Sequence, residues 1–290
     1  VSSGSGNSFV YGLATSANIP AEYEIVKNGV VVDRSKLKKY DVVTLDTANK
    51  QALVSDAKIS GQYTAGTPTY NYPQSVTMFG QTYAISDSAA ATFANIKLND
   101  YITLLFNTAG DVAAAFPKST VSADMQGVVT GLDGNQATVS LMNGLTLRDI
   151  TVSADDLSGL MGRLVTVGQS NNGSVYLTKR DLSGKASGNW TVADGRLGDK
   201  TVSPRVRVYE EVISGAPLSA IAVSDINAAS VQSSQIRYTT SDSAGTITNI
   251  VLGDVTGDSW IYGIGFGDRV KGAFNEPETV DGTPWEDLSS

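Results

Sequence analysis

Apolar residues in this chain recur largely at every second position, in short runs broken by Gly, Asn and Ser. A strand with one buried face has that period. The alternation is plain in Tyr101-Ile102-Thr103-Leu104-Leu105-Phe106, where the unbroken run Leu104–Phe106 predicts cover on both faces. Three patterns recur in a fixed order, the mark of tandem repeats. The first is a strand crossing a glycine: SFVYGLA around Gly12, KISGQYT around Gly61, DMQGVVT around Gly127, KASGNWT around Gly188 and SWIYGIG around Gly263. The second is an apolar run interrupted by a glycine: IVKNGVVV around Gly29, VTMFGQTY around Gly80, VSLMNGLTL around Gly144 and EVISGAPLS around Gly215. The third is a strand, a polar turn and a second strand: VVTLDTANKQALV, YITLLFNTAGDVAAAF, LVTVGQSNNGSVYLT and QIRYTTSDSAGTITNIVL. The third residue of each opening strand is Thr44, Thr103, Thr166 or Arg237, at intervals of 59, 63 and 71 residues by subtraction. So small a drift, with the order kept, fits copies whose loops differ in length.

Each copy reads as about five short strands and one helical turn. The turn is written in Asp87–Leu98, where Phe93 and Ile96 stand three apart and Asp87 or Ser88 is placed to cap it. Asp155-Asp156 opens a similar turn that runs through Leu160. NTAGD, SNNGS and DSAGT supply Gly and Asn where hairpins need a left-handed backbone. The glycine inside the first strand predicts a bend or bulge. Small, strongly bent sheets of this kind hide their edges by closing. The expected fold is therefore all-β with short helical turns, in tandem small β-barrel-like repeat domains stacked end to end as a semi-rigid rod. The boundaries are 1–56 for a short first copy with an N-terminal linker, then 57–121, 122–183 and a divergent 184–257. Residues 258–290 begin a further element, and Asn275–Ser290 read as an acidic linker. The opening VSSGSGNS lacks an initiator Met, and SFVYG at Ser8–Gly12 is echoed by SWIYG at Ser259–Gly263. Both features lead us to expect a piece of a longer protein.

Composition narrows the function classes. Hydrophobic residues make up 41% and charged residues only 17%, so the surface relies on Ser, Thr, Asn and Gly. The net charge of -8 argues against nucleic acid and anionic membranes as partners. No run of about 18 apolar residues marks a membrane-spanning helix. The absence of His removes the usual general base near neutral pH, and the absence of Cys removes thiolate chemistry and disulfides. An enzyme is not expected.

The wording YDVVTLDTANKQALVSDAKISGQYT, SVTMFGQTYAIS and LNDYITLLFNTAGDVAAAF resembles the repetitive regions of S-layer-type surface proteins of Gram-positive Clostridia. Those proteins also carry S-layer homology domains. The likeness is best over Leu37–Phe116 and fades after Leu182. It implies an extracellular location at the cell surface or wall and a structural role as spacer or array-forming unit. Its implied partners are other surface-protein copies, or components of the wall or of a host surface. It hands over no binding residues, and no segment reads as the helical wall-anchoring motif.

Chemistry is sparse. Gly253-Asp254-Val255-Thr256-Gly257-Asp258 is similar to the start of a calcium loop, with Asp254 and Asp258 as the candidate ligands, but no closing Glu follows. A plain turn between repeats is the favoured reading of this incomplete motif, and no other cofactor is expected. The acid pairs Asp155-Asp156 and Glu210-Glu211 are adjacent, so on a strand they face opposite ways and make poor catalytic dyads. In the loop Thr67–Pro73, Tyr70 and Tyr72 offer two rings that either stack on a sugar or partner chain or cover the end of their own barrel. Trp190 fills the place of Tyr63 and Val129 in other copies, which predicts a core position. Structural display, adhesion through Tyr70 and Tyr72, and carbohydrate hydrolysis are the three function classes weighed, with hydrolysis least supported.

Overall fold

Each strand–turn–strand segment folds as an antiparallel hairpin: Val42–Asp46 with Gln51–Ser55, Tyr101–Phe106 with Val112–Pro117, Leu164–Gln169 with Val175–Lys179, and Ile236–Ser241 with Ile247–Leu252. The computed structural model describes residues 19–87, 89–153, 157–182 and 186–257, and the backbone of short strands at Ser2–Gly4, Asn7–Phe9, Gly263–Phe266, Arg269–Gly272 and Glu286–Asp287. The glycine-crossed strand at Gly12, the pair Asp155-Asp156, Ser88 and Asp258 lie outside the described residues. The glycine-interrupted runs around Gly29 and Gly80 form tight hairpins, whereas the run around Gly215 lies in the longer connection between Glu210 and Ser219. Asn28-Gly29 and Phe79-Gly80 both carry two successive positive φ angles, 49° and 79°, then 53° and 74°. Such a pair matches the twist of the strands on either side.

Segments 58–117 and 126–179 share one design. Lys58–Gln62 pairs with Tyr101–Phe106, and its continuation Ala65–Thr67 bends over to pair with Ser75–Met78. In the next segment the single strand Gln126–Asp133 does both jobs, pairing with Leu164–Gln169 and with Gln136–Leu141. A return strand, a 3-10 turn and the closing hairpin follow in both. The molecule is thus all-β, and its helical content among the described residues is limited to 3-10 turns. The sheets do not close into barrels, which corrects that part of the expectation. One lone parallel bridge spans each gap, Ile85 to Val112 and Val152 to Val175. The chain leaves the sheet after Ile85 to form the turn Ala90–Phe93, so no second pair can form there. Phe93, fully buried, fills the opening with its ring 5.5 Å from that of Tyr63. Ala89, not Asp87, stands at the start of this turn and supplies no side-chain cap, because the turn begins later than its sequence suggests.

The first and last units pair differently. Glu24–Lys27 runs parallel to Gln51–Ser55, and the end of Lys200–Glu210 runs parallel to Ile247–Leu252. In both units the parallel partner is the second strand of the closing hairpin. The glycines inside the first strands answer to close approach. A Cβ on Gly61 would lie 2.6 Å from the Phe79 ring, and one on Gly127 would lie 2.6 Å from the Ser140 carbonyl. The irregularity in the Gln126–Asp133 strand falls between Val129 and Gly131 instead.

The units are not beads on a rod. One hydrophobic core runs from Ile59 and Phe106 through Val129 and Val165, so the second and third units share it. A smaller core joins Val128, Met142 and Leu164 to Tyr209, Leu218 and Val251 of the fourth. The chain then folds back on itself. Asn28 Nδ2 donates to Asp242 Oδ2 at 2.9 Å, the Ser203 hydroxyl donates to the Asn28 carbonyl at 2.7 Å, and the Ser243 N–H donates to Asp56 Oδ2 at 2.8 Å. First and fourth units therefore touch, and the expected linear stack becomes a closed arrangement. The pattern of each repeat predicts one buried face; it is silent on the second, intermolecular-looking faces that these joints bury.

Candidate functional site

The parallel strand Glu24–Lys27 ends on a lysine that is wholly buried. Removing an ammonium from water is costly unless it is paired and hydrogen-bonded. Lys27 Nζ donates to Asp41 Oδ2 at 2.7 Å and to the Ser243 hydroxyl, and lies 3.6 Å from Asp56 Oδ2. Asp41 also accepts the Lys38 N–H at 2.9 Å. Burial pushes the Asp56 carboxyl up, but the Lys27 charge, the Ser243 N–H and Lys58 outweigh it and hold that carboxyl below its ordinary range. Burial lowers the Lys58 ammonium, with Asp56 and Asp41 opposing. Pairing register puts Glu210 in the position of Lys27 in the fourth unit, and it too is buried. Its carboxylate accepts the Val255 and Thr256 N–H groups at 2.6 and 2.8 Å and the Thr256 hydroxyl at 2.7 Å. Equivalent strand ends thus carry buried charges of opposite sign, each held by its own loop.

Beside the lysine cluster lies a cleft of about 820 Å³, lined from all four units. The first gives Asn28 and Asp56, the second Lys58 and Thr108, the third Ser122 and Asp124, the fourth Arg205, Arg207 and Asp242. The acids are engaged. Asp124 accepts the Gln126 N–H and side-chain amide, and Asp242 Oδ1 accepts the Ala244 and Thr246 N–H groups, each at 2.9 Å. The arginines are not matched by acids. Arg207 Nη1 donates to the Ser140 hydroxyl at 3.0 Å, and burial lowers its guanidinium against a weaker opposing effect of Tyr209. Among the described residues neither Arg205 nor Arg207 enters an ion pair.

The residues singled out by sequence lie apart from this cleft. Tyr70 and Tyr72 are 44% and 61% exposed, so their rings do not cover a sheet end. Their loop is pinned by its backbone: the Tyr63 hydroxyl donates to the Tyr70 carbonyl at 2.8 Å, and the Gln74 N–H to that of Thr67 at 2.7 Å. Burial pushes the Tyr63 phenol up to about 12. Asp254 Oδ1 accepts the Gly257 N–H at 3.2 Å, while the amides of Val255 and Thr256 turn toward Glu210. The loop read as cation-binding therefore presents donors to a carboxylate. Among the described residues no three metal-ligating side chains gather. Glu210 and Glu211 face opposite ways, the latter accepting the Gly215 N–H at 2.8 Å. Trp190 is buried as its alignment with Tyr63 suggests. Sequence reading missed Lys27, Asp41 and Arg207, and weighed Glu210 only as half of an acid pair. The available signal was a charge set among apolar residues, in EIVKNGV and in VRVYEEV.

No known protein family matches the chain, and no curated protein does. Among solved structures, the chain is weakly similar to a multidomain protein with nucleic acid binding domains from Streptococcus pneumoniae TIGR4. The identity is 14%, the match covers 68% of this chain and 73% of that one, and the TM-score is 0.22. A likeness at that level carries no argument. Among the described residues no helix is long and apolar enough to cross a membrane.

Proposed function

We propose that this chain is a non-catalytic structural and display region of a bacterial cell-surface protein, of the S-layer-like kind its wording resembles. The observation that carries the reading is the way the repeats are joined. Two units share one core, a third is joined by a smaller one, and the first is tied to the fourth by side-chain hydrogen bonds. A block so braced suits bearing load or holding loops in fixed directions. Its acids hold loops and cations rather than facing each other across an open site, which suits a role without catalysis. Its net negative charge favours neither nucleic acid nor an anionic membrane as partner. Labelling of intact source cells with an antibody to this chain is expected to mark the outer surface. Signal confined to the cytoplasm, or hydrolysis of a wall polymer by the purified chain, overturns the reading.

The exposed rings of Tyr70 and Tyr72 favour a second reading, adhesion to a glycan or protein. Aromatic rings on a backbone-pinned loop lose little freedom on binding. On a glycan array, adhesion predicts binding that Tyr70→Ala with Tyr72→Ala abolishes. Because both side chains are exposed, stability should change by no more than about 0.5 kcal/mol per site. Retained binding in the double variant sinks this reading.

A further inference from the structure

We infer that the four-unit cleft is a binding site for an acidic carbohydrate, a sugar whose anionic group docks at Arg207 and Arg205. The cleft's volume of about 820 Å³ lies in the range of small-ligand sites. Its polar equipment selects the ligand. Arg205 and Arg207 stand two apart on the Lys200–Glu210 strand, whose pairing is irregular between Val202 and Arg207. Both line the cleft. Arg207 is half-buried, and its one hydrogen bond is to a neutral hydroxyl, so part of its five-donor fork remains for an oxyanion. The carboxylates nearby are held by Lys27, by Gln126 and by the turn after Asp242 rather than by the arginines, so the guanidinium donors are left for a ligand. Around the cleft stand the exposed hydroxyls of Thr108, Ser122 and Ser241. Hydroxyl-rich walls match a ligand that carries hydroxyls itself.

The same walls argue against other anions. No aromatic ring lines the cleft, so a nucleobase finds no stacking surface. The whole molecule carries a net charge of -8, which repels anions at long range. That field is screened beyond about 8 Å at physiological salt, so affinity must come from contacts inside the cleft. A small oxyanion reaches the arginines and few of the hydroxyls at once. An acidic sugar gains the arginines together with the hydroxyl rim. This site is separate from the surface-display reading and is tested on the purified chain, whereas display is tested on cells, so either can fail alone.

Two-dimensional NMR titration of the whole chain can use glucuronate and glucose 6-phosphate as acidic probes, with glucose and inorganic phosphate as controls. The acidic sugars are expected to shift signals of residues 107–110, 122–124, 203–207 and 240–242, each more strongly bound than either control. The better of the two tells whether carboxylate or phosphate is the preferred anion. Arg207→Met keeps the packing of the stem and should weaken binding about 10- to 100-fold, the scale of a charge-assisted hydrogen bond. Arg205→Ala, at an exposed position, should weaken it with no change in melting temperature and covers the case in which Arg207→Met does not fold. Arg196→Ala, outside the cleft, should leave it unchanged. The inference is overturned if no acidic sugar shifts these residues, if glucose or phosphate binds as tightly, or if both cleft variants bind like the parent.

Discussion

Lys27 concentrates the electrostatic risk of this fold in one side chain. It is fully buried, its partner Asp41 is 1% exposed, and Ser243 and Asp56 add to the cage. Losing one member of such a pair strands the other charge in a poor solvent. Lys27→Met should therefore destabilise the chain by about 3–5 kcal/mol in urea unfolding. The double variant Lys27→Met with Asp41→Leu should recover a good part of that loss, since both charges then leave together. If the single variant unfolds like the parent, the pair is not structural. Tyr63 poses the reverse case, a buried neutral acid. Its phenol is pushed up to about 12 from an ordinary 10, so the folded state holds its proton where the unfolded state has lost it. Stability from this group is complete below pH 10 and is lost as the pH rises toward about 12. Absorbance of phenolate should show exposed tyrosines ionising first, with Tyr63 following only together with unfolding. Early ionisation of all tyrosines would contradict its burial.

At the scale of elements, what the sequence reveals divides by distance along the chain. Hairpins were legible because both strands and the turn sit within a few residues, and Asn28-Gly29 or NTAGD states the turn directly. The 3-10 turn at Ala90–Phe93 was legible only as a site of burial, because Phe93 and Ile96 keep a three-residue spacing that both helix types share. The parallel pairs were not legible, since strands Glu24–Lys27 and Gln51–Ser55 look the same on paper whichever way they run. The glycine-crossed strands were recognised, but their reason was not. Gly127 is there because the Ser140 carbonyl and the Val139 side chain occupy the space a Cβ needs. Gly127→Ala must push backbone as well as a side chain. Overpacking of this kind costs about 1–3 kcal/mol. Gly159→Ala, with open space at that position, is the matched control and should stay within about 0.5 kcal/mol. Equal melting temperatures for the two variants would show that close approach is not what selects glycine there.

For the molecule as a whole, the decisive joint lies between residues 175 to 216 positions apart, and no local pattern can announce it. Lys27 meets Ser243 across 216 positions, and the cleft exists only because this joint closes. Its stability should depend on acidity through Asp56, which receives both the Lys27 charge and the Ser243 N–H. The folded carboxyl lies below its ordinary value of 3.8, so its contribution is complete above that value and fades as the pH falls through the lower folded one. Acid should therefore loosen the joint before it melts the shared core, whose residues from Ile59 to Val175 are apolar. Hydrogen exchange across a pH series, corrected for intrinsic rates, is expected to show protection falling first in Glu24–Lys27 and in the turn after Asp242. Strands Tyr101–Phe106 and Leu164–Gln169 should hold longer. Asp56→Asn should make the joint's protection independent of pH in that range, at a lower level throughout. Simultaneous loss of protection in all four units would mean that the joint and the shared core form one cooperative block. The cleft would then be as permanent as the core itself, and acid would abolish anion binding only by unfolding the chain.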